Sequence, residues 1–123
     1  MDDCGPDPRE IDLFFESRLF KVLSEPVRLE LLRFLAVRGP CDISTVAKDF
    51  PKDRSVISRH LRLMADYGLL FSSKVGRNTF YSLNGFEFLR TFEDTADRIR
   101  ELLKRICPAE YAEYERTGKR PNA

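Results

Sequence analysis

The stretch from Asp53 to Leu83 leaves the chain few folds to choose from. Residues 54–67 carry apolar side chains at the spacing of one helical face, and Gly68 follows as a stop. Two strand-like runs come next, Leu69–Val75 and Thr79–Leu83, joined at Gly76-Arg77-Asn78. The pattern is a helix leading into a β-hairpin with a basic tip. On a wheel turning about 100° per residue, Val56, Ile57, His60, Leu61, Met64 and Tyr67 share one arc. Arg54, Ser55, Ser58, Arg59 and Arg62 share the other. Burying the apolar arc leaves hydroxyl and guanidinium groups facing outward.

The rest of the chain supplies helices to bury that arc against. Asp7-Pro8-Arg9-Glu10 reads as a helix start, with Asp7 as cap, Pro8 in the first turn and Glu10 completing a capping box. Ile11, Phe14, Phe15, Leu19, Val22 and Leu23 extend it. Ser24 is read as the cap of a second helix, whose face holds Val27, Leu31, Leu32 and Leu35 and which Gly39-Pro40 ends. Asp42 caps a short third helix over residues 43–50, and Asp53 caps the fourth. Asn84-Gly85-Phe86-Glu87 opens a long last helix running to about Cys107-Pro108. On it Phe92, Ala96, Ile99, Leu103 and Ile106 are spaced four, three, four and three apart, the seam of a coiled coil. A small domain can hardly bury both this stripe and an equally apolar first helix by itself, so dimerisation through the terminal helices is expected.

The expected fold class is therefore α+β, mostly helical: a winged helix-turn-helix in the order helix-helix-helix-helix-strand-strand-helix, forming a homodimer. At 123 residues the chain suits a single winged-helix DNA-binding domain over 1–123, with a flexible acidic leader at 1–6 and a polar C-terminal tail at 109–123. No apolar run approaches the length of a membrane span, and the first residues carry acids rather than a basic signal-peptide start. A cytoplasmic location without membrane contact is expected.

Charge points to the partner. The net charge of +1 conceals an acidic start, net −5 over residues 1–16, and a basic centre. Residues 52–77 hold Lys52, Arg54, Arg59, Arg62, Lys74 and Arg77 against Asp53 and Asp66, net +4. Such focusing marks a nucleic-acid surface. Ser55, Ser58 and Arg59 are placed to read base edges in the major groove of duplex DNA. Lys52, Arg54 and Arg62, with Lys74 and Arg77 on the hairpin, are placed for phosphates or the adjacent minor groove. His60, on the apolar arc, is expected to pack and to bond a carbonyl or a phosphate. It is the sole histidine, and no nucleophile elbow or phosphate-cradling glycine loop occurs, so no enzyme is expected.

Four stretches carry a resemblance: residues 23–35 (LSEPVRLELLRFL), 41–50 (CDISTVAKDF), 53–70 (DRSVISRHLRLMADYGLL) and 74–83 (KVGRNTFYSL). Together they resemble the ArsR/SmtB (arsenic-repressor) family of bacterial winged-helix regulators. The resemblance implies a homodimeric repressor on a palindromic operator, released by an inducer. It matches Ser55, Ser58, Arg59 and His60 to the family's recognition-helix motif, which brings His60 into the DNA-binding set.

It also directs attention to the inducer. Many family members bind zinc-type ions through Asp and His on the last helix; here Asn84 and Phe86 stand at those places and no later histidine follows. Arsenic and cadmium sensors carry a Cys-x-Cys-Asp-Leu element, and this chain reads Gly39-Pro40-Cys41-Asp42-Ile43. Cys4, Cys41 and Cys107 are an odd, widely spaced set, unlike a disulfide scaffold. Soft thiolates suit As(III) and similar thiophilic ions, so a three-cysteine site is one expectation. Arg38 and the third helix's dipole are expected to favour a Cys41 thiolate. The alternatives are a redox or persulfide switch using the same thiols, packed cysteines with no sensing role, and a winged-helix module that docks on an acidic protein.

Overall fold

The computed structural model describes residues 7–120. Residues 1–6, which include Cys4 and the expected leader, and residues 121–123 lie outside the described residues. The elements run α1 (Pro8–Phe15), α2 (Arg18–Leu23), α3 (Pro26–Arg38), β1 (Cys41–Asp42), α4 (Ile43–Lys48), α5 (Arg54–Asp66), β2 (Leu70–Val75), β3 (Asn78–Leu83), α6 (Gly85–Ile106) and α7 (Pro108–Thr117). They fall into two compact units: residues 18–91, and the two ends of the chain, before Arg18 and from Phe92 onward.

In the 18–91 unit, helices cover a small antiparallel sheet of order β1-β3-β2. β2 and β3 pair from Leu70 opposite Leu83 to Val75 opposite Asn78, so the turn is the two residues Gly76-Arg77. β1 adds two residues, Cys41 opposite Tyr81 and Asp42 opposite Phe80. The core joins Val22 of α2, Leu31 and Leu35 of α3, Val46 of α4, Ile57, Leu61 and Met64 of α5, and Leu69, Leu70 and Tyr81 of the hairpin.

Several caps follow the residue chemistry. The Asp7 carboxylate accepts from the Arg9 amide and the Asp42 carboxylate from the Thr45 amide, both at 2.9 Å. Asn84 Oδ1 accepts from the Glu87 amide at 3.3 Å. Two expected caps take other forms. Ser24 Oγ donates back to the Lys21 carbonyl, closing α2, and Glu25 holds the N-cap position of α3. Asp53 sits at the N-cap of α5 without a side-chain bond; its backbone carbonyl accepts from Val56 and Ile57 instead.

Three further differences are local. The expected first helix is two, because the α1 hydrogen-bond ladder ends at Glu16 and Ser17. Apolar spacing from Phe15 to Leu19 runs across that break and conceals it. β1 is too short for any periodicity to announce. The tail, expected only to be polar, is helical over Pro108–Thr117, with Pro108 in its first turn and Gly118 in the left-handed conformation at its end.

In the terminal unit, Phe14 and Tyr111 are buried and Arg105 pairs with Glu10. Leu13, Phe14 and Leu102 floor an open pocket of about 420 Å³ between α1 and α6. α6 has no buried residue along its 22 positions.

Leu61 is fully buried at the centre of the core. Leu61→Ala should therefore lower unfolding free energy by about 2–5 kcal/mol, read from the urea midpoint. A midpoint unchanged from wild type would contradict this packing.

Candidate nucleic-acid interface

α4 and α5 form the helix-turn-helix. The turn between them is pinned by Phe50, whose ring meets Phe34 of α3 edge-on at 5.6 Å between centroids. From there α5 presents the two faces expected. Ile57, Leu61 and Met64 are fully buried; Arg54, Ser55, Arg59 and Arg62 are exposed and Ser58 is half-exposed.

Both ends of α5 are set by specific contacts. At the C-terminus the Gly68 amide bonds the Ala65 carbonyl and the Leu69 amide bonds the Met64 carbonyl, a Schellman closure. Gly68 has φ 87°, a left-handed value that strains other residues, and a Cβ there would sit 3.4 Å from Glu87 Cγ. Arg18 donates to the Tyr67 carbonyl at 3.4 Å and lies over the Tyr67 ring, placing a cation on the helix's negative end. The N-terminus carries no side-chain cap. Its amides and dipole face outward beside the exposed Lys52, a favourable setting for phosphate.

Lys74 and Arg77 are exposed on the hairpin, Lys74 on β2 and Arg77 within its two-residue turn. Among the described residues, Lys52, Arg54, Arg59, Arg62, Lys74 and Arg77 make no ion pair. Elsewhere Arg9 pairs with Asp7, Arg38 with Asp49, Arg100 with Asp97, Lys104 with Glu101 and Arg116 with Glu113.

His60 is placed differently from the other candidates. It is half-buried on the packed side of α5, and its Nδ1 accepts from Arg28 Nε of α3 at 3.2 Å, rather than bonding a backbone carbonyl. Burial, reinforced by the Arg28 charge and only partly offset by Glu25, holds the imidazole below its usual pKa. His60, Lys52, Val56, Pro26, Val27, Glu25 and Glu30 border a pocket of about 260 Å³.

The two described cysteines fall in different units. Cys41 is buried on β1, in the 18–91 unit, and Cys107 is half-buried between α6 and α7, in the terminal unit. Cys4 lies outside the described residues. No group of three or more His, Cys, Asp or Glu side chains is disposed to hold a metal ion among the described residues. Arg38, expected to favour a Cys41 thiolate, stacks over Phe34 at 5.2 Å and pairs with Asp49. The wheel had no means of finding Arg18 or Arg28, whose partners on α5 lie 49 and 32 residues away.

A family model described as a helix-turn-helix domain matches residues 23–70. The arsenical resistance operon repressor of Staphylococcus xylosus is 32% identical over 83 residues, 68% of this chain and 78% of that protein. A transcriptional repressor SmtB homolog of Synechocystis sp. is 29% identical over 85 residues; the match takes in 69% of this chain but only 64% of that relative's length. Among solved structures, an ArsR-like transcriptional regulator from Rhodococcus sp. RHA1 is 30% identical with a TM-score of 0.64, covering 90% of this chain and 99% of that one.

The support helix α4 offers a test of this geometry. The Thr45 side chain and amide hold the Asp42 carboxyl below its ordinary pKa. A depressed carboxyl contributes stability that is present above its unfolded pKa of about 3.9 and is lost as pH falls through the folded value. Asp42→Asn keeps the cap acceptor but does not titrate. The variant should lose less in Tm than the wild type when the pH is taken below about 4; identical acid limbs would count against the cap.

Proposed function

The chain belongs to the ArsR/SmtB family of winged-helix DNA-binding transcriptional regulators, which are not enzymes, and from it we propose a homodimeric repressor of a palindromic operator. The observation that carries this reading is the concentration of six exposed cations on α5, its approach and the hairpin, none of which forms an ion pair among the described residues. Cations left uncompensated on a folded surface are what a polyphosphate backbone selects. Ser55, Ser58 and Arg59 read base edges; Lys52, Arg54, Arg62, Lys74 and Arg77 hold the backbone. His60 supports α5 from behind.

The dimer reading rests on α6. Phe92, Ile99, Leu103 and Ile106 keep about two-fifths of their surface exposed, and Leu13 and Phe15 on α1 keep more than half. A second copy would cover a seam of this spacing.

The test is titration of the chain on a palindromic duplex selected from a randomised library, across a range of salt. Affinity should fall linearly on a log–log plot, with two chains per duplex. Arg59→Ala should cost about 1–3 kcal/mol and relax preference at one base pair. Arg77→Ala should weaken all sequences alike and shallow the salt slope by about one unit per chain. A salt-insensitive affinity, or binding of one chain per duplex, would overturn the reading.

We further propose that the inducer is thiol-reactive, As(III) or a persulfide-forming oxidant, and acts at Cys41. The described residues do not by themselves make a three-thiolate site, so the reading rests on where Cys41 sits. It pairs with Tyr81 of the hairpin and immediately precedes the Asp42 cap of α4. A change at that sulfur reaches both the wing and the helix supporting α5. Arsenite, and separately an organic polysulfide, should release the wild type from the duplex. Cys41→Ser should abolish the release, and Cys4→Ser and Cys107→Ser should report whether those thiols contribute. Undiminished release from Cys41→Ser ends the proposal.

A further inference from the structure

We propose that Arg28 is a positioning residue for α5, holding His60 as the neutral imidazole with its proton on Nε2, so that operator affinity depends on the protonation of that one ring. The statement about affinity rests on the DNA-binding reading above; the statement about the ring does not.

A guanidinium can only donate. With Arg28 Nε donating to His60 Nδ1 at 3.2 Å, Nδ1 must offer a lone pair, which leaves the ring neutral and its proton on Nε2. The other end of the guanidinium is anchored as well: Arg28 Nη1 donates to the Lys21 carbonyl at 2.8 Å, an oxygen that also accepts from Ser24 Oγ. One side chain of α3 thereby ties the end of α2 to the middle of α5.

Protonating Nδ1 destroys the tie, because two N–H donors then face each other across the same gap. The surroundings oppose the extra charge. Arg28 on α3, Lys52 ahead of α5 and Arg59 on α5 are cationic; Glu25 before α3 and Glu30 on α3 are the acids bordering the same pocket. Burial disfavours the imidazolium further, so the neutral ring holds at neutral pH.

The sign of the DNA effect follows from the helix wheel. His60 lies on the arc opposite Arg54, Ser58 and Arg62. A charge gained there lies on the packed side of α5, against the cations Arg28, Lys52 and Arg59, and repels the residues that position the reader. Loss of the tie dominates, and affinity falls as pH falls.

The chain has one histidine, so a titration between about pH 5 and 8 is assignable. Two measurements test the proposal. In the free protein near pH 7.5, imidazole 15N shifts should show Nδ1 bare and Nε2 protonated, and Arg28→Gln should relax the ring to a tautomer mixture. A mixture, or a protonated Nδ1, in the wild type overturns the lock. On the selected palindrome at constant ionic strength, wild-type affinity should fall by up to about tenfold per pH unit for each ring below its pKa, hence up to about a hundredfold for two chains on one duplex. His60→Asn places an amide oxygen near the Nδ1 position without titrating, and its profile should be flat. Arg28→Lys should bind more weakly near neutrality and respond less to pH. Wild-type affinity that is flat or rises on acidification, or an unaltered slope in His60→Asn, overturns the coupling. Failure to bind any duplex would instead strike the DNA-binding reading, and the 15N measurement would still judge the lock.

Discussion

The burial of Ile57, Leu61 and Met64 is the constraint on which everything else in the reader depends. Each such side chain is worth about 1.5–3 kcal/mol when fully removed from water, against a total stability for small domains of about 5–15 kcal/mol. α5 therefore cannot roll about its axis without forfeiting much of what keeps the chain folded. Fixing that side inward fixes the serine and arginine side outward. Affinity for DNA is in this sense a by-product of hydrophobic packing, since the protein pre-organises the polar face before any ligand arrives. The Schellman closure at Gly68 and the Arg18 contact then stop the helix from fraying at the end that leads into the hairpin.

Charge is partitioned on the same principle. Along α6 and α7 the basic residues lie one turn from acids, as in Arg100 with Asp97 and Lys104 with Glu101. Exposed pairs of this kind contribute about 0–1 kcal/mol each, but they cancel field locally. In the 52–77 segment no such pair forms and bases outnumber acids six to two, so a chain of net charge +1 projects positive potential from one place. Composition alone would have missed it.

Local rules carried far in this sequence. The α5 partition, the caps at Asp7, Asp42 and Asn84, the hairpin and the extent of the long α6 were legible because each depends on residues within a few positions of one another. Features that depend on distant partners were not. The break at Glu16 and Ser17 leaves apolar periodicity intact, and β1 exists only because Cys41 and Asp42 meet β3. His60 looked like a packed residue from the wheel, but its donor sits on another helix. The contacts of Arg38 with the Phe34 ring and the Asp49 carboxylate were likewise not announced by its place beside Gly39.

The strand order β1-β3-β2 leaves β2 as the outer strand, and beyond Leu70 it is exposed on both faces, with Phe71 and Val75 uncovered. Its free backbone edge is a template on which another chain's strand can add. Six residues and a lysine are a modest defence, and that lysine is Lys74. The charge assigned to the DNA backbone thus also guards solubility, and a chain stripped of it would be prone to edge-to-edge aggregation.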